Sequence, residues 1–546
     1  LEESQNCKGT FVSRTMLEGC RESCKKYGDL DAIIGTKERL TYKELDNISD
    51  KLAKKIVSCN VKPKSGVAIS MEKGVMQVVA ALAVLKAGCF YVPIDVHNPQ
   101  GRIEIIKRQA GVVFDITEEL VREIISNKED LSSDVSLPEV NSKDVAYIIF
   151  TSGSTGVPKG VVITHEAVMN TIDDINSRFD VTEKDGTIFL SNLNFDLSVY
   201  DIFGMLSVGG HIIVPDVDRT KDPDHWQELL KENGVTVWNT VPTFMQMMIE
   251  QKIDLDNSSL RLVLLSGDWI PTRLISEIYK RFGNDIKIIS LGGATEASIW
   301  SNYFEIPRVI PEEWESIPYG KPLSNQGFII LDSDRKRVPV NVPGELYIIG
   351  KGVAEGYIND PEKTKAAFID IPNVSGKAYR TGDYGRYLPD GTIIFCGRKD
   401  HQIKRGGHRI ELGEIENKIS NLDGIKQAVV TFEVGKDSSL TAHLIAEDYK
   451  IPYLNVWKRN VKLPTRLLEY ENSKAFKALQ NEMDSLIRKA IVSDFMNWGI
   501  LEFLNEPKTV SDILKKFGIA EKYDGYIKHL LDFMVSYEVL DQNDSS

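Results

Sequence analysis

Cysteine is scarce in this chain, with six in 546 residues. They are Cys7, Cys20, Cys24, Cys59, Cys89 and Cys396, scattered without a repeating spacing. Thiols this sparse do not build a disulfide framework and fit a reducing, cytoplasmic setting. Cys20 and Cys24 share the stretch "CRESC", but no second pair at zinc spacing accompanies them. Two ordinary thiols on a helix are expected there, not a metal site. Long apolar runs are also missing. The longest, "MQVVAALAVLKAGCFYVPI", is interrupted by Lys86 and Gly88. It is too short to span a bilayer and reads as a buried helix running into a strand. No stretch reads as a secretory signal. Blocks of positive charge are absent, and the net charge is −13. An acidic chain without basic clusters is a poor partner for nucleic acid or anionic membrane. The chain starts at Leu1, not Met, and is expected to be a piece of a longer polypeptide.

What is present is ordinary for a soluble globular protein: 42% apolar and 27% charged residues. The length predicts more than one domain. From about residue 30 to 330, short β-rich runs alternate with amphipathic helical patterns. "SGVAISM", "AYIIFTS", "GTIFLSN", "HIIVPD", "VTVWNTV", "LRLVLLSG" and "IKIISLGG" are the strands, and "TYKELDNISDKLAKKIVS" is typical of the helices. Such alternation predicts α/β layers with mainly parallel sheets. From about 320 to 398 the pattern becomes short strands with Gly and Pro turns, as in "QGFIILD", "GELYIIG" and "GRYLPDGTIIFCGR". A small antiparallel or barrel-like subdomain is expected, with "PDG" as a hairpin turn. Another boundary falls near Asp400, where "DHQIKRGGHRIELGEIENKISNLDGIKQAVVTFE" reads as strand, helix, strand. After about residue 449 the sequence turns helical, and "KTVSDILKKFGI" with "YIKHLLDFMVSYEVLD" resembles a winged-helix unit.

One stretch carries chemistry on its face. "FTSGSTGVPKG" places Gly153, Gly156 and Gly160 after a buried strand, among Thr151, Ser152, Ser154, Thr155 and Lys159. Glycines let backbone N–H groups converge on an anion, and the hydroxyls and the lysine add donors. A Walker loop runs GxxxxGK[ST] into a helix. Here Lys159 follows Pro158, and the strand-like "VVITH" comes next, so a plain Walker-type NTPase is disfavoured.

"YIIFTSGSTGVPKGVVITH" closely resembles the phosphate loop of adenylate-forming enzymes: acyl-CoA synthetases, luciferases and the adenylation domains of nonribosomal peptide synthetases. Further segments resemble the peptide-synthetase branch in the same order. They are "LTYKEL", "LKAGCFYVPID", "NFDLSVYDIFG", "GGATEASIW", "GELYIIGKGVAEGY", "YRTGDYGRYLPDG" and "GRKDHQIKRGGHRIELGEIE". The resemblance covers about residues 30 to 445. It implies an α/β adenylate-forming fold with two mainly parallel sheets, a barrel-like subdomain and a small α+β C-terminal domain. On that basis residues 1–30 would be a linker from an upstream domain, 31–399 the adenylation core and 400–448 a partial C-terminal subdomain. Residues 449–546 would be the helical start of an inserted methyltransferase-type domain.

The resemblance also implies a reaction. An amino acid and Mg-ATP give an aminoacyl-adenylate and pyrophosphate, and the acyl group passes to the phosphopantetheine thiol of a carrier protein. In-line attack at the α-phosphate needs positioning and charge neutralisation more than covalent catalysis. The glycine-rich loop, with Gly153, Gly156 and Thr155, would hold the departing phosphates, Lys159 acting as a mobile cation. Glu296 matches the Mg2+ ligand, a hard oxygen donor. Thr295 matches the hydroxyl at the α-phosphate, and Gly293 and Ala294 would also line the nucleotide. Asp383 matches the carboxylate on the ribose hydroxyls, with Arg398 nearby. Asp400 matches a hinge about which the small domain rotates, and Gly406 and Gly407 would swing toward the pantetheine. One departure stands out: the family usually has an aromatic residue where this chain has Gly292, so adenine stacking on that side chain is lost.

Pocket positions carried over from these motifs are Asp196, Leu197, Tyr200, Asn239, Leu264, Ser266, Leu291, Ile299 and Trp300. Asp196 would pair with an α-ammonium, which favours an α-amino acid over a plain fatty or aryl acid. The bulky members leave a small, mainly apolar cavity. Physics alone does not separate cysteine from serine, alanine or valine; the set resembles the family's cysteine code. The alternatives are an acyl- or aryl-CoA ligase and a binding scaffold. The scaffold arises because no "PxxxxGK" segment, with its transition-state lysine, follows residue 416. The tail resembles the lead-in of some methyltransferases, which would bring S-adenosylmethionine only in a continuation. From Leu501 to Ser546 there are five Lys, no Arg and nine Asp or Glu, so DNA binding by the winged helix is not expected. Implied partners are a carrier protein, an upstream condensation or heterocyclisation domain and an MbtH-like activator.

Overall fold

The computed structural model describes residues 9, 11–126, 135–152, 158–251, 258–311, 314, 316–398, 402–405, 408–412, 415–416, 419, 425–433, 439–446 and 515–516. The chain forms two compact units, Leu1–Ile415 and Glu416–Ser546.

The first unit contains a nine-stranded sheet. Its order is Lys321–Pro322, Asn302–Glu305, Lys287–Gly292, Leu262–Leu265, Val237–Thr240, Gly186–Ile188, His211–Val214, Asp31–Gly35, Arg39–Thr41. Pairs from Lys287–Gly292 across to Asp31–Gly35 are parallel, and the outer pairs at both ends are antiparallel. A six-stranded sheet runs Gly356–Tyr357, Lys159–Thr164, Val145–Thr151, Phe90–Ile94, Gly66–Ser70, Val112–Ile116. Its last four strands are parallel. Between about 320 and 398 a curled antiparallel sheet is built from Gln326–Leu331, Gly344–Gly350, Ala378–Tyr387, Phe368–Ile369 and Ile393–Arg398. The "PDG" turn closes its hairpin: Leu388 N–H donates to Thr392 O at 2.8 Å, and Gly391 sits at φ +82°.

Helices cover the sheets because their apolar residues fall on one side. Tyr42–Ser58 starts with a capping box, Thr41 and Glu44 each bonding the other's backbone N–H. It buries Tyr42, Leu45, Ser49, Leu52, Ala53 and Ile56, a three- and four-residue spacing. Helix Val75–Lys86 is buried on every side, as its unbroken apolar run demands. Its one charge, Lys86, is held 2.6 Å from both Asp46 and Asp50, a helical turn apart on Tyr42–Ser58. A buried ammonium is tolerated only with such partners. Cys20 and Cys24 lie on helix Met16–Lys26, and the described cysteines are free thiols.

Pleating splits the large sheet's side chains between two cores. Val237, Leu262, Leu264, Ile289 and Leu291 pack with Tyr200 and Trp300. Trp238, Val263, Leu265 and Ile288 pack on the other face with Trp226 and Met245.

Toward the end of the first unit, Gln402–Arg405 and His408–Glu411 pair antiparallel. In the second unit Ile425–Glu433 and Ser439–Ala446 form an antiparallel pair. Asp400, Gly406 and Gly407 lie outside the described residues, as does the expected winged-helix tail apart from 515–516. Among the described residues, no helix is long and apolar enough to cross a membrane.

Candidate active site

Strand Val145–Thr151 turns back on Lys159–Thr164, with Thr151 opposite Lys159 and Phe150 opposite Gly160. The glycine-rich segment therefore joins two antiparallel strands, where a Walker loop would lead into a helix. Thr151, Ser152 and Lys159 stand at its feet; Gly153, Ser154, Thr155 and Gly156 lie outside the described residues. Gly160 has to be glycine, because a Cβ there would meet Ile358 and Phe150 at 2.7 Å. That close approach lets Ile358 N–H bond Gly160 O at 2.8 Å, while Gly356 and Tyr357 pair with Val162 and Val161.

Tyr357 is thereby set between two charged groups. Lys159 Nζ lies 5.3 Å from its ring centroid, within cation–π range. Its hydroxyl donates to Glu296 Oε1 at 2.8 Å. Glu296 is wholly buried on the short turn Thr295–Ala297, which follows Gly293 and Ala294 at the carboxyl end of strand Lys287–Gly292. Ligands of open α/β sheets gather at such strand ends. Just beyond, Ser298 and Ile299 adopt φ +59° and +71°. A β-branched residue there is strained, and such strain clusters at functional sites.

Asp383 and Arg398 face each other across adjacent strands of the curled sheet and form a mostly buried ion pair. Arg398 also donates to Thr381 O at 3.1 Å, and Asp383 N–H to Thr381 Oγ1 at 2.9 Å. Tyr319 reaches the same region. Its phenol is hydrogen-bonded to the Gly293 backbone and is pushed above its ordinary range by burial and then by Asp383, so it stays protonated. Its ring packs edge-on to Phe328 at 5.9 Å and near Phe395 at 6.0 Å.

Several of the expected pocket residues lie close together, Asn239 Nδ2 donating to Leu197 O at 3.3 Å. Asp196, Leu197 and Tyr200 lie on a short helical segment that continues into a π-turn, Tyr200–Gly204. Asp196 is close enough to Tyr147 to raise that phenol's pKa, behind the larger effect of burial. The Tyr200 ring centroid is 5.0 Å from that of Trp300. Asn239 pairs in register with Leu264, and alternation puts Ser266 and Leu291 on that same face. Leu197, Tyr200, Leu264, Leu291, Ile299 and Trp300 belong to one buried cluster. Among the described residues, three buried polar atoms of the set have no hydrogen-bond partner: Asn239 Oδ1, Ser266 Oγ and Trp300 Nε1.

Sequence reasoning did not single out Tyr319 or Tyr357, nor Asp201, which accepts from Asn239 Nδ2 at 2.8 Å, and Lys73, which lies within electrostatic range of Asp201. Tyr357 sits inside a quoted motif, and Asp201 inside another. Gly292 was the only signal for Tyr319, and nothing local marks Lys73.

The fold and this site define an adenylate-forming enzyme. The chain belongs to the AMP-binding enzyme family, which it matches over residues 20–358, and within it to the adenylation domains of nonribosomal peptide synthetases. It is 43% identical over 441 residues to the anguibactin system regulator of Vibrio anguillarum, covering 77% of this chain and 41% of that protein. To pyochelin synthetase PchF of Pseudomonas aeruginosa it is 35% identical over 541 residues, covering 95% of this chain and 30% of that one. The crystal structure of the nonribosomal peptide synthetase FmoA3 bound to α-methyl-L-serine-AMP superposes with a TM-score of 0.69. That match has 35% identity and covers 73% of this chain and 46% of that one. The chain thus spans less than half the length of each of these relatives.

Proposed function

We propose that this chain activates an α-amino acid, cysteine by its pocket residues, as an aminoacyl-adenylate at the expense of ATP. The acyl group then passes to the phosphopantetheine thiol of a carrier protein. One observation carries the reading: Lys159 and the buried Glu296 flank the same tyrosine ring, a cation and an anion at the end of the glycine-rich hairpin. That is the pairing a phosphate chain with its metal calls for.

The residues divide the work. Thr151, Ser152 and the loop residues Gly153, Ser154, Thr155 and Gly156 bind the departing phosphates, with Lys159 neutralising their charge. Thr295, Gly293 and Ala294 lie along the α-phosphate, and Asp383 with Arg398 holds the ribose. Glu296 would hold Mg2+, which supplies charge neutralisation when bound. Among the described residues no group of three His, Cys, Asp or Glu could enclose a metal. Magnesium fits all the same, since it is commonly bound by one or two carboxylates plus substrate phosphates. Asp196 receives the substrate ammonium, and Leu197, Tyr200, Asn239, Leu264, Ser266, Leu291, Ile299 and Trp300 surround its side chain. FmoA3, with α-methyl-L-serine-AMP bound, offers a precedent for an amino-acid adenylate in a similar protein. Asp400 would serve as the hinge between half-reactions. A cytoplasmic assembly with an upstream condensation or heterocyclisation domain and an MbtH-like protein completes the reading.

The test is amino-acid-dependent ATP–pyrophosphate exchange with all twenty amino acids. Exchange selective for cysteine supports the activation and the substrate assignment, and exchange with another amino acid removes the substrate assignment alone. Thioester formation on free CoA would move the chain to the acyl- or aryl-CoA ligases. Nucleotide binding without any exchange would leave a binding scaffold.

A further inference from the structure

Asn239 is almost fully buried on strand Val237–Thr240, and both hydrogens of its amide nitrogen are committed. Nδ2 donates to Asp201 Oδ1 at 2.8 Å and to Leu197 O at 3.3 Å. Its Oδ1 is buried and, among the described residues, takes no hydrogen bond. Turning the amide over would aim that oxygen at a carboxylate and a carbonyl, three acceptors together, so the orientation is fixed while Asp201 is ionised. Lys73 keeps it so. Its ammonium donates to the carbonyls of Phe189, Leu190 and Ser191 at 3.0, 3.0 and 2.5 Å and lies within electrostatic range of Asp201. Burial lowers the Lys73 pKa, and Asp201 and the three carbonyl acceptors work against that, favouring the charged amine. Asp201 itself has no exposure and sits on the π-turn beneath the pocket.

We propose that Asp201, backed by Lys73, is a positioning residue that makes Asn239 present only a hydrogen-bond acceptor to the substrate. The pocket is then selective for a small side chain carrying a donor, a thiol or a hydroxyl. The inference rests on the reading of Asn239 as pocket wall and deepens it. A buried acceptor left unpaired is costly, so an isosteric side chain without a donor is penalised. Ser266 Oγ, also buried and without a hydrogen-bond partner among the described residues, can give or take a second bond on the same face.

The experiment compares L-cysteine with L-2-aminobutyrate, in which a methyl replaces the thiol, by pyrophosphate exchange and by calorimetric binding. The native chain should prefer cysteine by about tenfold or more, a modest ratio because a thiol is a weak donor. Asn239→Leu should bring the ratio near unity. Asp201→Asn, which frees the amide to turn, should do the same with KM for ATP unchanged. Equal use of both amino acids by the native chain, or an unaltered ratio in folded Asp201→Asn, overturns the inference. If Asp201→Asn fails to fold, Lys73→Met should shift the ratio in the same direction, and an unchanged ratio there overturns it equally. Binding that keeps the cysteine preference while all exchange is silent would remove the adenylation reading alone. Absence of both binding and exchange removes both.

Discussion

A Cβ on Gly292 would stand 2.4 Å from Cε2 of Tyr319. The tyrosine ring thus occupies the space where a side chain at position 292 would begin, and its phenol meets the Gly293 backbone beside Asp383 and Arg398. The aromatic surface missing from position 292 is available from another part of the chain. If the base stacks there, Tyr319→Ala should cost about 1–3 kcal/mol of nucleotide binding, roughly ten- to hundredfold in KM for ATP. Tyr319→Phe should keep most of it, and KM for the amino acid should stay level. Gly292→Ala should destabilise the fold by about 1–3 kcal/mol through overpacking. Adding Tyr319→Ala should relieve that, a coupling that a double-mutant cycle of urea midpoints reads directly.

Much of this architecture was legible in the sequence. Strands such as Gly66–Ser70 and Lys287–Gly292 stand out because parallel strands buried on both faces are apolar runs ending in Gly or Ser. The non-Walker character of the loop could be read from Pro158 and the β-rich residues after Lys159, and the hairpin register explains it. Tyr319 was illegible because its place depends on a long-range bridge, Gly320 to Ile393, that docks the curled sheet against the large one. Lys73 and Asp201 were illegible for a related reason. A charged residue in a loop reads as solvated, and only the meeting of Lys73 with the carbonyl end of strand Gly186–Ile188 gives it a role.

The Tyr357 hydroxyl fixes one oxygen of the Glu296 carboxylate. Hydrogen bonds to charged groups contribute about 1.5–3 kcal/mol. Tyr357→Phe should therefore loosen the carboxylate and raise the Mg2+ concentration needed for half-maximal exchange several-fold. Glu296→Gln should raise it further. Titrating exchange against Mg2+ at fixed ATP distinguishes this from general damage, which would lower the plateau without moving the midpoint.

Asp383 and Arg398 share a mostly buried ion pair, so removing one partner leaves the other's charge exposed to a low-dielectric surrounding. Arg398→Ala or Asp383→Ala should each cost about 3–5 kcal/mol of stability. The double replacement should cost less than the two together. Asp383→Asn leaves Arg398 an acceptor but no counter-charge, so it should lose less stability than Asp383→Ala while raising KM for ATP about tenfold or more with KM for the amino acid unmoved. Chemical denaturation beside steady-state exchange separates the two effects.

His165 sets an acid limit on the fold. It begins helix His165–Arg178, is 1% exposed, and accepts the Met16 N–H on Nδ1 at 3.3 Å. Burial lowers its pKa from 6.5 to about 4, only partly opposed by Asp144. The folded chain therefore keeps the imidazole neutral at a pH where the unfolded chain has protonated it. Because the unfolded state binds more protons in that window, stability rises with pH there. The contribution is fully present above pH 6.5 and is lost as pH falls toward about 4. One pKa unit corresponds to about 1.4 kcal/mol, so the whole window is on the order of 3 kcal/mol. His165→Asn keeps an acceptor near Nδ1 and cannot titrate. Urea midpoints measured from pH 7 down to 4 should fall more steeply for the native chain than for the variant. Parallel slopes would mean that the imidazole is already charged in the folded state, with Met16 N–H turned to another acceptor.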